Sequence, residues 1–187
     1  MVLKAPDPGE VQKLEEQFDP EVRFRPQGRA AEWIVGALLL ALSCFHYYTA
    51  GFGLLREQTH RGIHMAFVLG LIFLVFAATK RPAHETPRAS WWRPAGIAWP
   101  DWILAAGAAA ASLYVPAIFE DLAFRVGNPL LVDVVMGTIL IVVLLEATRR
   151  SVGWPLPIIA LVFMLYAYLG PHMPGVLAHA GSSWTQI

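Results

Sequence analysis

The stretch from Leu130 to Thr148 reads LLVDVVMGTILIVVLLEAT. Its only charges are Asp133 near the start and Glu146 near the end. At about 1.5 Å rise per residue, a helix of this length approaches the ~30 Å hydrocarbon thickness of a bilayer. Four more runs of the same kind flank it, at about 33–52, 62–79, 102–119 and 154–169, so that each of the five holds roughly 16–20 residues. Gly153 and Gly170 can extend the shortest. In lipid a helix satisfies its own backbone groups, so these runs predict an all-α, polytopic bundle of five spanning helices.

Composition agrees. Of the 187 residues 56% are apolar and 15% charged, against about 45–50% and about 25% in soluble domains. The formal net charge is zero, which argues against disorder and against a basic nucleic-acid binder. The lone Cys44 sits in an apolar run and has no internal partner, so this is no disulfide scaffold.

Charge placement sets the expected orientation. Residues 1–30 form a polar arm, interrupted by Pro6, Pro8, Pro20 and Pro26, with one short amphipathic stretch from Glu10 to Phe18. The arm reads as a mobile cytosolic tail, and no small-residue cleavage site follows the first apolar run. With the N-terminus inside, eleven Lys and Arg fall on the inner side: Lys4, Lys13, Arg23, Arg25, Arg29, Lys80, Arg81, Arg88, Arg93, Arg149 and Arg150. Three fall outside: Arg56, Arg61 and Arg125. That asymmetry follows the positive-inside rule for five crossings and places the C-terminus outside. The domain expectation is an arm (1–30), a transmembrane domain (31–170) and a short external segment (171–187). The seven tryptophans lie near segment ends or in loops, as interface anchors do.

Local signals refine the helices. Pro100-Asp101 before Trp102 suits a helix start with Asp101 as N-cap. Pro155 and Pro157 fit the first turn of the fifth helix. The third run is rich in small residues, and Gly107 with Ala111 has the four-residue spacing of close helix contacts, so this helix is expected to pack against another.

Candidate site residues are few. Glu146, Arg149 and Arg150 share one helical face at the inner end of the fourth helix, where cations suit the dipole. They read as an interfacial ion cluster that sets helix depth, or as a contact with a partner subunit or an ion path. Asp133, near the outer end, reads as a dipole partner or as a functional acid. His60 and His64 stand four apart, either as an interfacial pair or as two metal ligands, and two ligands are not a metal site. His46 and His64 would have to face each other to hold a haem. No phosphate-binding loop, nucleophile elbow, dinucleotide fingerprint or zinc-protease signature occurs, so no enzyme is expected.

A set of short motifs adds to this reading. They are Tyr48-Thr-Ala-Gly-Phe-Gly53, Arg61-Gly-Ile-His64, Asp101-Trp102, Arg125-Val-Gly127 with Asp133, Leu145-Glu-Ala-Thr-Arg-Arg-Ser-Val-Gly153, Leu156-Pro-Ile-Ile, and Tyr168-Leu-Gly-Pro-His-Met-Pro-Gly175. In this order and spacing, over about residues 33–187, the chain resembles the N-terminal, small-subunit-like portion of the fused permeases of tripartite ATP-independent periplasmic (TRAP) transporters, in the branch that works with TAXI-type receptors. The resemblance implies a secondary transporter of a bacterial or archaeal cytoplasmic membrane, with a periplasmic TAXI-type receptor delivering the solute. It also implies a large permease portion that carries the substrate and ion sites, sodium being the usual coupling ion. That portion would be a partner absent from this sequence, whether through a split frame or as a separate chain. No catalytic, cofactor or metal ligand is therefore expected on this chain. Glu146, Arg149, Arg150, Asp133 and His64 are expected to be structural or partner-facing. Two other readings stay open: a membrane scaffold unrelated to transport, and a small haem-binding redox subunit using His46 and His64.

Overall fold

The computed structural model describes residues 24–25, 28–53, 55–79, 92–125 and 127–185. Five α-helices account for most of them: α1 (Arg29–Gly51), α2 (Glu57–Val75), α3 (Trp99–Phe124), α4 (Leu131–Ser151) and α5 (Pro155–Leu169). All five are long and apolar enough to cross a membrane, α5 together with the following 3-10 turn to His172. Among the described residues there is no strand, and Phe24 and Phe76 form an isolated bridge. The expectation of five apolar helices therefore holds.

The boundaries differ where charged residues continue a helix. The α2 helix opens at Glu57, and its exposed first turn is closed by an Arg61–Glu57 ion pair at i, i+4 spacing. It stops at Val75, because Phe76 turns extended to meet Phe24. The α3 helix begins at Trp99 with Ala98 as N-cap, so Asp101 sits inside the first turn and is not the cap. The prolines of α5 fall in its first turn, as expected.

Two clusters make up the core. One joins Ala31 and Val35 of α1 to Leu71 and Leu74 of α2 around Ile97. The 3-10 turn Pro94–Gly96 seats Ile97, with Ala95 in the left-handed region at φ 54°. The other joins Leu69 and Phe73 of α2, Ala108 of α3, and Val143 and Ala147 of α4. Outside these clusters the surface is apolar. Leu39, Leu40, Ile158, Ile159, Val162 and Phe163 are all exposed. A small core beneath an apolar exterior reverses the distribution of a water-soluble domain.

The alanine-rich α3 packs on α2, as its small side chains suggest, but in a different register. Ala108, Ala111 and Ser112 are buried, whereas a side chain at Gly107 would meet nothing. The close approach comes from the other helix. A Cβ at Gly62 of α2 would overlap the Pro116 ring and lie 2.7 Å from the Ser112 carbonyl oxygen. Pro116 lies inside α3 and has no N–H to give that carbonyl, so Gly62 lets α2 cover the break.

The segment after α5 folds back on the bundle. The backbone N–H of Ser182 donates to Ala167 at 2.9 Å, and the Tyr166 hydroxyl donates to the Leu177 carbonyl at 3.0 Å. The indole of Trp184 donates to Thr138 Oγ1 at 3.0 Å, seven residues into α4.

Gly62→Val should lower stability by about 1–3 kcal/mol through overpacking, and Gly107→Ala should lower it little or not at all. Thermal melting in detergent, followed by size-exclusion chromatography, compares the two. Equal melting points would contradict the α2–α3 contact.

Candidate functional site

The fourth helix ends on Leu145-Glu-Ala-Thr-Arg-Arg, and its geometry puts Glu146, Arg149 and Arg150 together. The Glu146 carboxylate accepts from Arg149 Nε at 2.7 Å through Oε2 and from Arg150 Nε at 2.7 Å through Oε1. Arg149 Nη2 donates a further bond to Oε1 at 2.7 Å. To this extent the arrangement matches the expected cluster.

The network reaches beyond α4. Arg150 is 3% exposed, and its Nη1 donates to Asp101 Oδ1 at 2.7 Å. Asp101, 4% exposed, accepts from Arg25 through its other oxygen. The charges alternate along Arg25, Asp101, Arg150, Glu146 and Arg149. Both helix ends favour them, since an anion suits the N-terminus of α3 and cations suit the C-terminus of α4. The carbonyl of Phe76 accepts from Arg150 at 3.4 Å and that of Ala78 from Arg149 at 3.3 Å, which ties in the end of α2. The guanidinium of Arg150 lies 5.1 Å from the Phe73 ring centre, and that of Arg149 lies 5.4 Å from Trp154.

Arg25 corrects the reading of the arm. Residues 1–23 and 26–27, including the stretch Glu10–Phe18, lie outside the described residues, as do Lys80, Arg81, Arg88 and Trp91. Phe24 and Arg25, however, are docked. The Arg25 N–H donates to the Val75 carbonyl at 2.8 Å, and the Phe24 and Phe76 rings stand 4.9 Å apart. This end of the arm is held by an ion pair that no local pattern announces.

At the opposite end of the bundle, Asp133 lies in the first turn of α4. Its carboxylate accepts from the Leu130 N–H at 2.7 Å, from the Tyr114 hydroxyl at 2.5 Å, and from Arg125 at 2.6 and 3.2 Å. These four donors join α3 to α4 across their loop. Tyr114 and Arg125 were not expected as partners.

His64 pairs with His46, Nδ1 to Nε2, at 2.9 Å. That is a hydrogen-bond separation, whereas metal–nitrogen bonds of about 2.0 Å put two axial ligands about 4 Å apart. His60 joins them, with its ring centre 5.3 Å from that of His46. Among the described residues no group of three or more His, Cys, Asp or Glu is placed to hold a metal ion.

The charged and imidazole contacts thus lie towards the two ends: an ion-pair network at the start of α1, and the Asp133 and histidine contacts where α1 ends, while the hydroxyl of Ser112, in the middle of α3, is buried without a hydrogen-bond partner. Compared with family models, curated proteins and solved structures, the chain matches none.

Removing one partner from a buried ion pair leaves the other charge stranded, at a cost of about 3–5 kcal/mol. Asp101→Asn should therefore destabilise strongly. Glu120→Gln, which breaks the solvent-exposed Arg56–Glu120 pair (2.8 Å), should cost only about 0–1 kcal/mol. Melting temperatures of the two variants in detergent would show it, and equal values would dismiss Asp101 as the hub.

Proposed function

We propose that this chain is the small, scaffold-like membrane component of a TRAP-type secondary transporter. It lies in a bacterial or archaeal cytoplasmic membrane with its N-terminus in the cytosol and its C-terminus outside. The order and spacing of the quoted motifs carry the reading, above all Leu145–Gly153. The arrangement of that motif supports it: its three charges brace helix ends against one another, which suits a supporting role. The apolar exterior of α1 and α5 supports insertion in lipid, and the excess of Lys and Arg in the cytosolic segments supports the orientation.

In this reading the chain catalyses no reaction. It holds a large permease portion in place while that portion moves solute and coupling ion, and a TAXI-type receptor delivers the solute from the periplasm. Secondary transporters build ion and substrate sites from broken helices near the bilayer midplane. In the described helices the Pro116 break is covered by Gly62 of α2, which suits a supporting role.

Affinity purification of the tagged full chain from its native membrane should recover a polytopic chain of about a dozen hydrophobic segments. Recovery of the chain alone would leave a scaffold unrelated to transport. Replacing the three motif residues together (Glu146→Gln, Arg149→Gln, Arg150→Gln) should reduce that recovery, and unchanged assembly would count against their role. A fluorescent reporter at the N-terminus should be active in the cytosol, and a phosphatase after Thr185 active in the periplasm. Both ends on one side would refute five crossings.

A further inference from the structure

The α1 and α2 helices are held together by different chemistry along their length. Towards the start of α1 the contact is apolar: Ala31 and Val35, with Leu38 and Leu42, against Leu71 and Leu74. Towards its end the contact is imidazole. His46 of α1 bonds His64 at 2.9 Å, its ring centre lies 5.0 Å from that of His64 and 5.3 Å from that of His60, and Phe45 stands 5.1 Å from His60. The remaining rings there, Tyr47, Tyr48 and Phe52, are exposed. A cleft of about 480 Å³ runs to this contact from the end of the bundle, lined by His46, Thr49, Gly53, Glu57 and His60 among others.

An N–H···N bond between imidazoles needs one neutral acceptor nitrogen, and an imidazolium has only donors. Charging both rings removes the bond and sets like charges side by side. The charged groups nearby are already matched. Glu57 pairs with Arg61 beside the cleft, and Arg56 pairs with Glu120 of α3 on the side of α2 that faces that helix. On the last turns of α1 the neighbouring polar side chains include those of Tyr47, Tyr48 and Cys44, all exposed, whereas Arg29 and Glu32 lie at its far end.

We propose that His46, His60 and His64 form a proton-operated clasp. Neutral, it closes the end of α1 on α2. Protonated through the cleft, it releases that end while the apolar half stays packed as a hinge. The clasp stands independently of the transporter reading.

Spin-label distances test it in the full chain reconstituted in liposomes, with Cys44→Ser as background. One pair, Gly51→Cys and Ala117→Cys, spans the clasp end. A second, Ala37→Cys and Gly107→Cys, spans the hinge half. Ordinary imidazole titrates near pH 6.5, so pH 8 is compared with pH 5. The first distance should shift longer at pH 5 and the second should not change. With His46→Gln, His60→Gln and His64→Gln combined, the first distance should be independent of pH, and His64→Gln alone should reduce the shift. No shift in the native clasp pair, an equal shift in both pairs, or a shift that survives histidine replacement would each overturn the proposal.

Discussion

The Arg150–Asp101 ion pair is the contact on which one end of the molecule depends. Two opposite charges, both almost wholly buried, meet where α4 ends and α3 begins. Neither is tolerable there alone, because an unpaired buried charge has no water to replace its partner. Together they fix the separation of two helices, and their spare hydrogen-bonding capacity recruits the rest. The second oxygen of Asp101 takes Arg25, Nε of Arg150 takes Glu146, and the carbonyl of Phe76 takes an Arg150 N–H. Four chain segments far apart in sequence thus converge through the need to satisfy one pair of charges.

That convergence gives the bundle an uneven rigidity. The α2, α3 and α4 helices share the core around Phe73, Ala108 and Val143, and α3 and α4 are pinned at both ends, by Asp101 at one and Asp133 at the other. The α1 helix has an apolar seam over only part of its length, and α5 turns much of its surface outward. The tail that folds back from α5 to Thr138 partly compensates, since its hydrogen bonds tie α5 to α4.

The five helices were legible because length and apolarity are properties of a single run. The Glu146–Arg149–Arg150 cluster was legible because i, i+3 and i, i+4 neighbours meet on any helix. Asp101 was not, because its partner lies 49 positions away and its proline neighbour imitates an N-cap. Helix ends were misjudged where Glu57, Arg61 and Arg150 continue a helix, because hydropathy registers side-chain transfer and not backbone hydrogen bonding. In α3 a run of alanines has no phase: whether Gly107 or Ala108 faces α2 is decided by Gly62 and Pro116, on two different helices.

The separation of polarity to the two ends also bears on what such a bundle can do. A carrier must offer its cargo polar contacts at the depth where both faces are closed off, and helices supply them by unwinding. Among the described residues Pro116 interrupts the α3 ladder, and the carbonyl it deprives, that of Ser112, faces Gly62 of α2. At middle depth Thr138 is occupied by its own helix carbonyl and by Trp184, whereas the buried Ser112 hydroxyl has no hydrogen-bond partner. The charged contacts lie at the ends: the arginine network, which couples the arm to three helices, and the imidazole contact, which closes the end of the α1–α2 seam.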